Sequence, residues 1–243
     1  MKYASRGIVL SKESFGEADC YIQFYTRAWG LITTLAKSAR KSKRRYVGGL
    51  DIFCHNEIFL RGDPKDHPYL QELSVLNSFT GIRDELSRLL LAGKITQWVK
   101  RLANIATPSP HIYSLLGQTL ALIEKESDED RLELLGLVFK LKLLGFLGFK
   151  PRVDSCAKCS LSVESEALFD LEAGGILCES CARQNHLNLA LRLEGTERVF
   201  LHQADDLRLS QWESVHFSQR STQHLSRLVG QFASYHTHLW LPV

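Results

Sequence analysis

Hydrophobic and polar positions alternate with a period of two near the start of the chain. Between Asp19 and Thr26, the apolar Cys20, Ile22 and Phe24 occupy every second position, a pattern typical of a strand with one buried face. Five runs of this kind are separated by turn residues: Ser5–Ser11, Asp19–Thr26, Leu31–Ala36, Leu50–Leu60 and Leu70–Leu76. Because no helix between them is long enough for a crossover, we expect an antiparallel sheet that closes into a small barrel.

The hydrophobic spacing becomes helical from Thr80 onward. Apolar residues at three- and four-residue intervals predict helices in these places: after Ile82, at Ile95–Leu102, Ile112–Ile123 and Arg131–Phe146, and further on at Leu187–Leu193 and Ser218–Phe232. Asp128 or Asp130 would cap the helix at Arg131–Phe146. That helix is apolar around most of its circumference, so we expect it at the centre of a helical bundle.

Composition limits the classes of protein that fit this pattern. The 243 residues are 44% hydrophobic and 23% charged, with a formal net charge of +3, which excludes an intrinsically disordered chain. The first residues lack the long apolar segment of a signal peptide, and the longest uncharged stretch, Leu102–Ile123, contains prolines and polar side chains. We therefore expect a cytoplasmic protein with no membrane segment.

Four of the six cysteines form two C-x2-C pairs separated by eighteen residues: Cys156, Cys159, Cys178 and Cys181. Two such pairs can supply the tetrahedral shell of four sulfurs that Zn²⁺ prefers. A shell of four protein ligands leaves no position for water, so the sequence predicts one structural zinc ion per chain and no metal catalysis. The intervening segment alternates well enough for a two-stranded ribbon, with Gly174 and Gly175 at the turn or at a close approach of two backbones.

Other interpretations of these cysteines are reduced thiols, redox-active C-x2-C motifs or an iron–sulfur cluster. His186 follows Cys181 by five residues and is an alternative ligand, but four cysteines already complete the shell. The remaining Cys20 and Cys54 fall in predicted strands and are most simply small core residues.

A basic run follows the third predicted strand. Six cations occupy nine positions, and no acidic residue occurs between Leu31 and Leu50; the cations are Lys37, Arg40, Lys41, Lys43, Arg44 and Arg45. Like charges at this density repel one another, and a polyanion that releases its counterions on binding relieves the repulsion. The run therefore predicts a nucleic-acid-binding loop on the barrel rim, although a solvated loop of incidental charge has the same composition. Four nearby aromatic residues are either base-stacking platforms or packing residues: Tyr21, Tyr25, Trp29 and Tyr46.

Motifs of common catalytic sites are absent from the sequence. It contains no P-loop G-x-x-x-x-G-K-[ST], no H-E-x-x-H and no G-x-S-x-G, and its nine histidines are scattered. The acidic residues Asp128, Glu129 and Asp130 precede a predicted helix, where acids complement the helix dipole. We expect a protein that is not an enzyme, with a Mg²⁺-dependent nuclease as the catalytic alternative.

Several stretches of the chain resemble the bacterial RecO family of DNA-repair recombination mediators. They are RGIVLSKESFGEADCYIQFYT, GLITTLAKSARKSKRR, LKLLGFLGFKPRVDSCAKCS and GGILCESC. Together they cover most of residues 1–185. The most specific is the apolar helix that ends in Leu-Gly-Phe-x-Pro before the first C-x2-C pair.

The resemblance implies an α+β multidomain fold with four segments. These are an OB-fold barrel for DNA binding at 1–79, the first part of a helical domain at 80–150, an inserted four-cysteine zinc module at 151–185, and the rest of the helical domain at 186–243. Cys156, Cys159, Cys178 and Cys181 match the family's zinc ligands, and Lys37 with Arg40–Arg45 matches its basic loop.

As a RecO-like protein, the chain is expected to bind single- and double-stranded DNA and to anneal complementary strands. It would act on DNA coated by single-strand-binding protein (SSB) and would assist RecA loading together with RecR at the nucleoid. The alternative is a zinc-ribbon adaptor that binds other proteins through its acidic C-terminal third and makes no direct contact with DNA.

Overall fold

The computed structural model describes residues 2–42, 44–103, 108–163, 167–184, 190–204 and 206–242. Two compact units make up the chain, Met1–Leu132 and Glu133–Val243. None of the helices described in these ranges combines the length and the apolarity needed to cross a membrane.

A closed barrel of five strands begins the first unit. Its strands are β1 (Lys2–Phe15), β2 (Asp19–Thr26), β3 (Gly30–Ala36), β4 (His55–Arg61) and β5 (Tyr69–Asn77). They follow one another around the barrel in the order β1-β2-β3-β5-β4, and β4 pairs back to β1. All neighbours are antiparallel except β3 and β5, which pair in parallel at Leu35 and Tyr69. This is the five-stranded OB-type barrel that the resemblance implies, with one parallel pair in the sheet expected to be antiparallel.

The barrel core contains the alternating apolar residues of the strands. Ile22, Phe24, Ile58 and Leu60 are fully buried in it. The predicted bounds of β2 are confirmed, but β4 begins at His55 and not at Leu50. The apolar residues just before β4, including the buried Leu50 and Phe53, lie in turns that pack on the barrel.

Two helices follow the barrel in the first unit. A single 3-10 turn (Thr80–Arg83) follows β5 and precedes α1 (Leu86–Leu102), and α2 spans Pro110–Ile123. The side chain of Ser109 caps α2 by accepting a hydrogen bond from the backbone N–H of Ile112 at 3.5 Å, and Pro110 occupies the first turn, where its missing N–H costs nothing.

Helix α3 (Glu129–Phe146) contributes apolar residues to the core around most of its circumference, as its composition predicts. Asp128 caps it, because its carboxylate accepts hydrogen bonds from the backbone N–H groups of Asp130 at 2.9 Å and Arg131 at 3.1 Å. The acidic residues Asp128, Glu129 and Asp130 therefore stabilise the N-terminus of α3.

The second unit combines helices with a small sheet. Its strands are β6 (Ala167–Asp170), β7 (Gly175–Leu177) and β8 (Ala190–Leu193), arranged in the order β7-β6-β8. Its helices after α3 are α4 (Glu179–Gln184), α5 (Gly195–Gln203) and α6 (Gln219–Thr237), with a 3-10 segment at Leu209–Ser214. The helix predicted at Leu187–Leu193 is wrong over its described part, because Ala190–Leu193 pairs with β6 as a strand. Residues 187–189 of that prediction lie outside the described ranges.

Candidate metal centre and nucleic-acid interface

The two C-x2-C pairs converge on one point in the second unit. The four-cysteine centre consists of Cys156, Cys159, Cys178 and Cys181, whose sulfur atoms all lie within 4.8 Å of one another. The Sγ atoms of Cys159 and Cys178 are 3.6 Å apart. Four sulfurs bound tetrahedrally at about 2.3 Å from zinc would be separated by about 3.8 Å. The arrangement therefore fits a four-coordinate metal ion, and the alternative ligand His186 lies outside the described residues.

The first pair of cysteines is held by a tight turn. The backbone N–H of Cys156 donates to the carbonyl of Leu161, and the N–H of Ser160 donates to the carbonyl of Cys156, both at 2.9 Å. Ser160 adopts the left-handed conformation with φ of 63°. The N–H of Ala157 donates to the carbonyl of Ile176 in β7 at 2.7 Å, which joins this turn to the strand that leads to Cys178.

Two glycines allow β7 to approach the segment that carries the first pair of cysteines. Gly174 has φ of +70°, which favours glycine, and an added Cβ at Gly175 would lie 2.3 Å from the carbonyl oxygen of Arg152. Arg152 makes two backbone hydrogen bonds across this contact: its N–H donates to the carbonyl of Gly174, and its carbonyl accepts the N–H of Ile176. The glycine pair therefore provides both of the features that the sequence offered as alternatives, a turn and a close approach.

The cysteine sulfurs have unequal affinities for a proton. Burial raises the pKa of the Cys156 thiol, but hydrogen bonds from backbone N–H groups, first that of Cys159, outweigh burial and lower this pKa to about 6. Hydrogen bonds with the sulfurs of Cys159 and Cys178 raise the pKa of the Cys181 thiol to about 12. Four thiolates at this distance repel one another, so a divalent cation is the group that would let all of them ionise.

The basic run forms a loop anchored to the turn between β1 and β2. We call residues Lys37–Arg45 the basic loop. The carboxylate of Asp19 accepts the backbone N–H of Ser38 at 2.7 Å, and the carbonyl of Ala18 accepts the N–H of Arg40 at 3.0 Å. The guanidinium of Arg45 donates to the carbonyl of Lys37 at 2.9 Å and closes the loop. Lys43 lies outside the described residues.

The described cations of the basic loop project into solvent. Lys37, Arg40, Lys41, Arg44 and Arg45 are all exposed. The Lys37 ammonium lies 4.6 Å from the centre of the Tyr69 ring, and the Arg45 guanidinium lies 5.1 Å from the centre of the Tyr46 ring. Among the residues that the structure describes, no carboxylate forms an ion pair with any of these five cations. The positive charge of these five side chains is therefore available to an anionic ligand.

The four candidate stacking residues differ in their accessibility. Tyr25 is 2% exposed and Tyr46 is 4% exposed, so neither ring is accessible to a ligand. Tyr46 belongs to the barrel core, where its hydroxyl donates to the carbonyl of Leu70 at 2.8 Å. These two rings are therefore packing residues, and the interpretation of them as base-stacking platforms is wrong. Tyr21 packs against Phe15 with ring centres 4.9 Å apart. Trp29 is half-buried and packs against the barrel core.

The chain thus belongs to a class of OB-fold proteins in which a barrel with a cationic loop precedes a helical part with a four-cysteine centre. Family models divide it in the same way. The model described as "Recombination protein O N terminal" matches residues 1–79, and "Recombination protein O C terminal" matches residues 83–243. The chain belongs to the RecO family of DNA repair proteins.

Individual relatives agree with this assignment. A protein named DNA repair protein RecO from Rubrobacter xylanophilus is 36% identical over 181 residues, which cover 74% of this chain and 71% of the relative. A protein of the same name from Syntrophus aciditrophicus is 31% identical over 182 residues, covering 74% of this chain and 69% of the relative. A third, from Acetivibrio thermocellus, is 32% identical over 176 residues, with 72% and 68% covered.

Proposed function

We propose that this protein is a non-enzymatic, DNA-binding recombination mediator. It would anneal complementary strands and, together with RecR, assist the loading of RecA onto single strands coated by SSB. In this proposal, residues 1–79 form the DNA-binding domain and residues 151–185 the zinc module, and residues 80–150 and 186–243 form the helical domain. Because DNA is the proposed ligand, the protein would act at the nucleoid.

The proposal is based on the exposed cations of the basic loop. They are attached to a closed barrel whose backbone is fixed, and the described carboxylates leave their charge uncompensated. Phosphates that replace counterions around such a loop gain free energy from the release of those counterions. The proposed DNA-binding residues are Lys37, Arg40, Lys41, Lys43, Arg44 and Arg45.

Annealing follows from the same electrostatics. Two strands repel each other through their phosphates, and a cationic loop lowers this repulsion while the strands find their complementary register. Base pairing then supplies the driving force, so the protein needs no bond chemistry and no nucleotide hydrolysis.

We further propose that the four-cysteine centre holds one zinc ion per chain. The spacing of the sulfurs suits a closed tetrahedral shell, in which the ion has no open position for water and acts on stability alone. When bound, zinc would supply a positive charge that keeps all four sulfurs ionised and joins the first cysteine turn to β7 and α4.

An annealing assay on complementary strands coated with SSB tests the function. A mediator should accelerate the annealing of the coated strands, and this activity should be lost in Arg40→Ala/Lys41→Ala/Arg44→Ala. An adaptor protein would bind neither naked nor coated strands. Shortening of the labelled strands in the presence of Mg²⁺ or Mn²⁺ would instead indicate a nuclease.

A further inference from the structure

The second unit contains an open pocket of about 750 Å³, which lies among β8, the start of α5 and α6. Its volume falls in the range of ligand pockets, about 300–1,000 Å³. None of its described lining residues has an aromatic or purely hydrocarbon side chain. We call it the arginine pocket, and the lining residues that matter for its chemistry are Arg192, Thr196, Glu197, Arg220, His224 and Arg227.

Helix α6 places three of these side chains on one face. Arg220, His224 and Arg227 follow one another at intervals of four and three residues, the spacing that aligns side chains along one side of a helix. The two arginines are exposed, and their backbones are separated by about 10 Å along the helix axis. The other side of α6, which includes Leu225 and Val229, is fully buried, so the packing of the helix keeps the arginine face on the surface.

The middle residue of this face is held by a buried carboxylate. Glu197 is 2% exposed, and its two carboxylate oxygens lie 2.9 and 3.0 Å from Nδ1 of His224. The backbone N–H of Glu194 also donates to Glu197 at 3.0 Å. These hydrogen bonds satisfy Glu197 within the protein and fix the imidazole ring. The carboxylate therefore positions His224 and does not compete with a ligand for the arginines.

The arginines of α6 retain positive charge for a ligand. In the described parts of the chain, no carboxylate forms an ion pair with Arg220 or Arg227, and Nε of Arg227 donates to the backbone carbonyl of Gln223 at 3.4 Å. The lining contains three arginines and two glutamates, so three minus two leaves one positive charge in excess even with His224 uncharged. The arginine pocket therefore favours an anion.

Arginines around a pocket without hydrocarbon side chains suit a compact anion. A guanidinium group donates two parallel hydrogen bonds to a carboxylate or a phosphate. A phosphate monoester carries about −1.5 to −2 charges near neutral pH and has three acceptor oxygens, so several arginines can bind it at once. A carboxylate offers two oxygens and a single charge. A nucleobase, or a peptide anchored by an apolar side chain, finds no complementary surface here.

We infer that the arginine pocket binds a phosphate monoester or a pyrophosphate group. Arg220 and Arg227 would hold the two ends of the group, with His224 between them. Two sources supply this chemistry, the terminal phosphate of a DNA strand and a free ligand such as pyrophosphate. The phosphodiesters proposed to contact the basic loop are different, because each carries one charge and two unbridged oxygens. The inference therefore goes beyond the proposed function and does not depend on the basic loop.

Titration of the full chain with pyrophosphate tests the inference. Arg220→Gln/Arg227→Gln keeps exposed polar side chains but removes both guanidinium groups. By isothermal titration calorimetry, wild type should bind pyrophosphate, and this variant should bind it about 10-fold more weakly or worse, because charge-assisted hydrogen bonds are lost. Arg208→Gln is the matched control, since it makes the same change at an exposed arginine outside the arginine pocket and should bind like wild type.

The basic-loop variant Arg40→Ala/Lys41→Ala/Arg44→Ala separates the two anion-binding surfaces. It should retain wild-type affinity for pyrophosphate. Wild-type affinity of Arg220→Gln/Arg227→Gln for pyrophosphate would overturn the inference, and so would an equal loss in Arg208→Gln or in the basic-loop variant. In each of these cases the proposed function would stand if the basic-loop variant still lost DNA binding.

DNA strands with different ends identify the source of the phosphate. Two single strands of one sequence, ending in a 5′-phosphate or a 5′-hydroxyl, are compared by fluorescence anisotropy. If a terminal phosphate is the ligand, wild type should prefer the phosphorylated strand by about 3- to 10-fold, and Arg220→Gln/Arg227→Gln should show no preference. Pyrophosphate binding without this preference would identify a free ligand and support the inference. Absence of both, or binding of poly-glutamate in place of pyrophosphate, would overturn it.

Discussion

The basic loop and the four-cysteine centre are both clusters of like groups, but their charges are compensated in opposite ways. The sulfurs of the centre face one another within 4.8 Å, so an ion inside the fold can satisfy all of them. The cations of the loop face solvent, and their backbone is anchored through Asp19 and Ala18. Residues of the four-cysteine centre should therefore control stability, whereas the side chains of the basic loop should control DNA binding and leave the fold intact.

The largest effect is expected from removal of one sulfur ligand. Cys178→Ser should lose the bound zinc and lower the free energy of unfolding of the second unit by about 4–5 kcal/mol or more, because loss of a structural metal is among the most destabilising changes. Metal analysis and urea unfolding measure the two quantities.

Cys20→Ala is the control for that change, because Cys20 is buried in the barrel core, in the other unit. It should retain one zinc per chain. A Cys178→Ser protein with wild-type stability and no metal would contradict a structural role for the centre.

The next effect concerns the basic loop. Arg40→Ala/Lys41→Ala/Arg44→Ala should weaken DNA binding by about 10- to 100-fold at low salt, because three phosphate contacts are lost. The free energy of unfolding should change by no more than about 0.5 kcal/mol, as for other exposed side chains. Fluorescence anisotropy and urea unfolding of the same preparation measure both.

The control variant for the basic loop removes exposed cations from another part of the first unit. Lys94→Ala/Lys125→Ala removes two exposed cations and should bind DNA nearly as well as wild type. If the control and the loop variant lose affinity equally, net charge and not the loop would govern binding.

A smaller effect on stability is expected at the glycine that lets β7 approach the first cysteine turn. Gly175→Ala should destabilise the second unit by about 1–3 kcal/mol, because the new methyl group overlaps the Arg152 carbonyl. Gly93→Ala adds the same methyl group in open space within α1 and should stabilise the first unit by about 0.5–1 kcal/mol. Thermal unfolding compares the two, and equal responses would show that the close approach has no energetic consequence.

The smallest effect is a dependence of barrel stability on pH. Burial, with a smaller contribution from Arg6, lowers the pKa of the His55 imidazole, which lies 2.5 Å from the Tyr113 hydroxyl. Because the unfolded chain then binds the proton more readily, stability should be complete above about pH 6.5 and should fall as the pH drops below that value. Urea unfolding at pH 7.5 and 5.5 should show this decrease in wild type and a smaller one in His55→Gln, and an identical decrease in both would exclude His55 as its origin.

The barrel could be predicted from the sequence because alternation reports burial directly. β2 and β3 have few exceptions to the period of two, and their bounds are confirmed to within one residue. β1 is longer than predicted, since Lys2–Phe15 includes exposed ends and a register shift between Val9 and Ser11 that carry no hydrophobic pattern. The strand predicted from Leu50 failed because apolar residues of a loop that packs on the barrel resemble those of a strand.

The second unit was harder to predict because its elements are short. β8 is a strand and not the predicted helix, because four residues with Leu191 and Leu193 alternating are too few for periodicity to distinguish the two. The four-cysteine centre needed no periodicity, because its spacing alone places the thiols together.

The salt dependence of DNA binding by the unmodified protein measures whether its cations contact the phosphates of the bound strand. Affinity for a labelled single strand, measured between about 50 and 200 mM salt, should give a slope of log K against log salt of about −4.2, or about −0.7 for each of six phosphate contacts. That result would show that the number of phosphate contacts equals the number of cations that the basic loop supplies. A slope between zero and about −1, or no binding at low salt, would contradict the account.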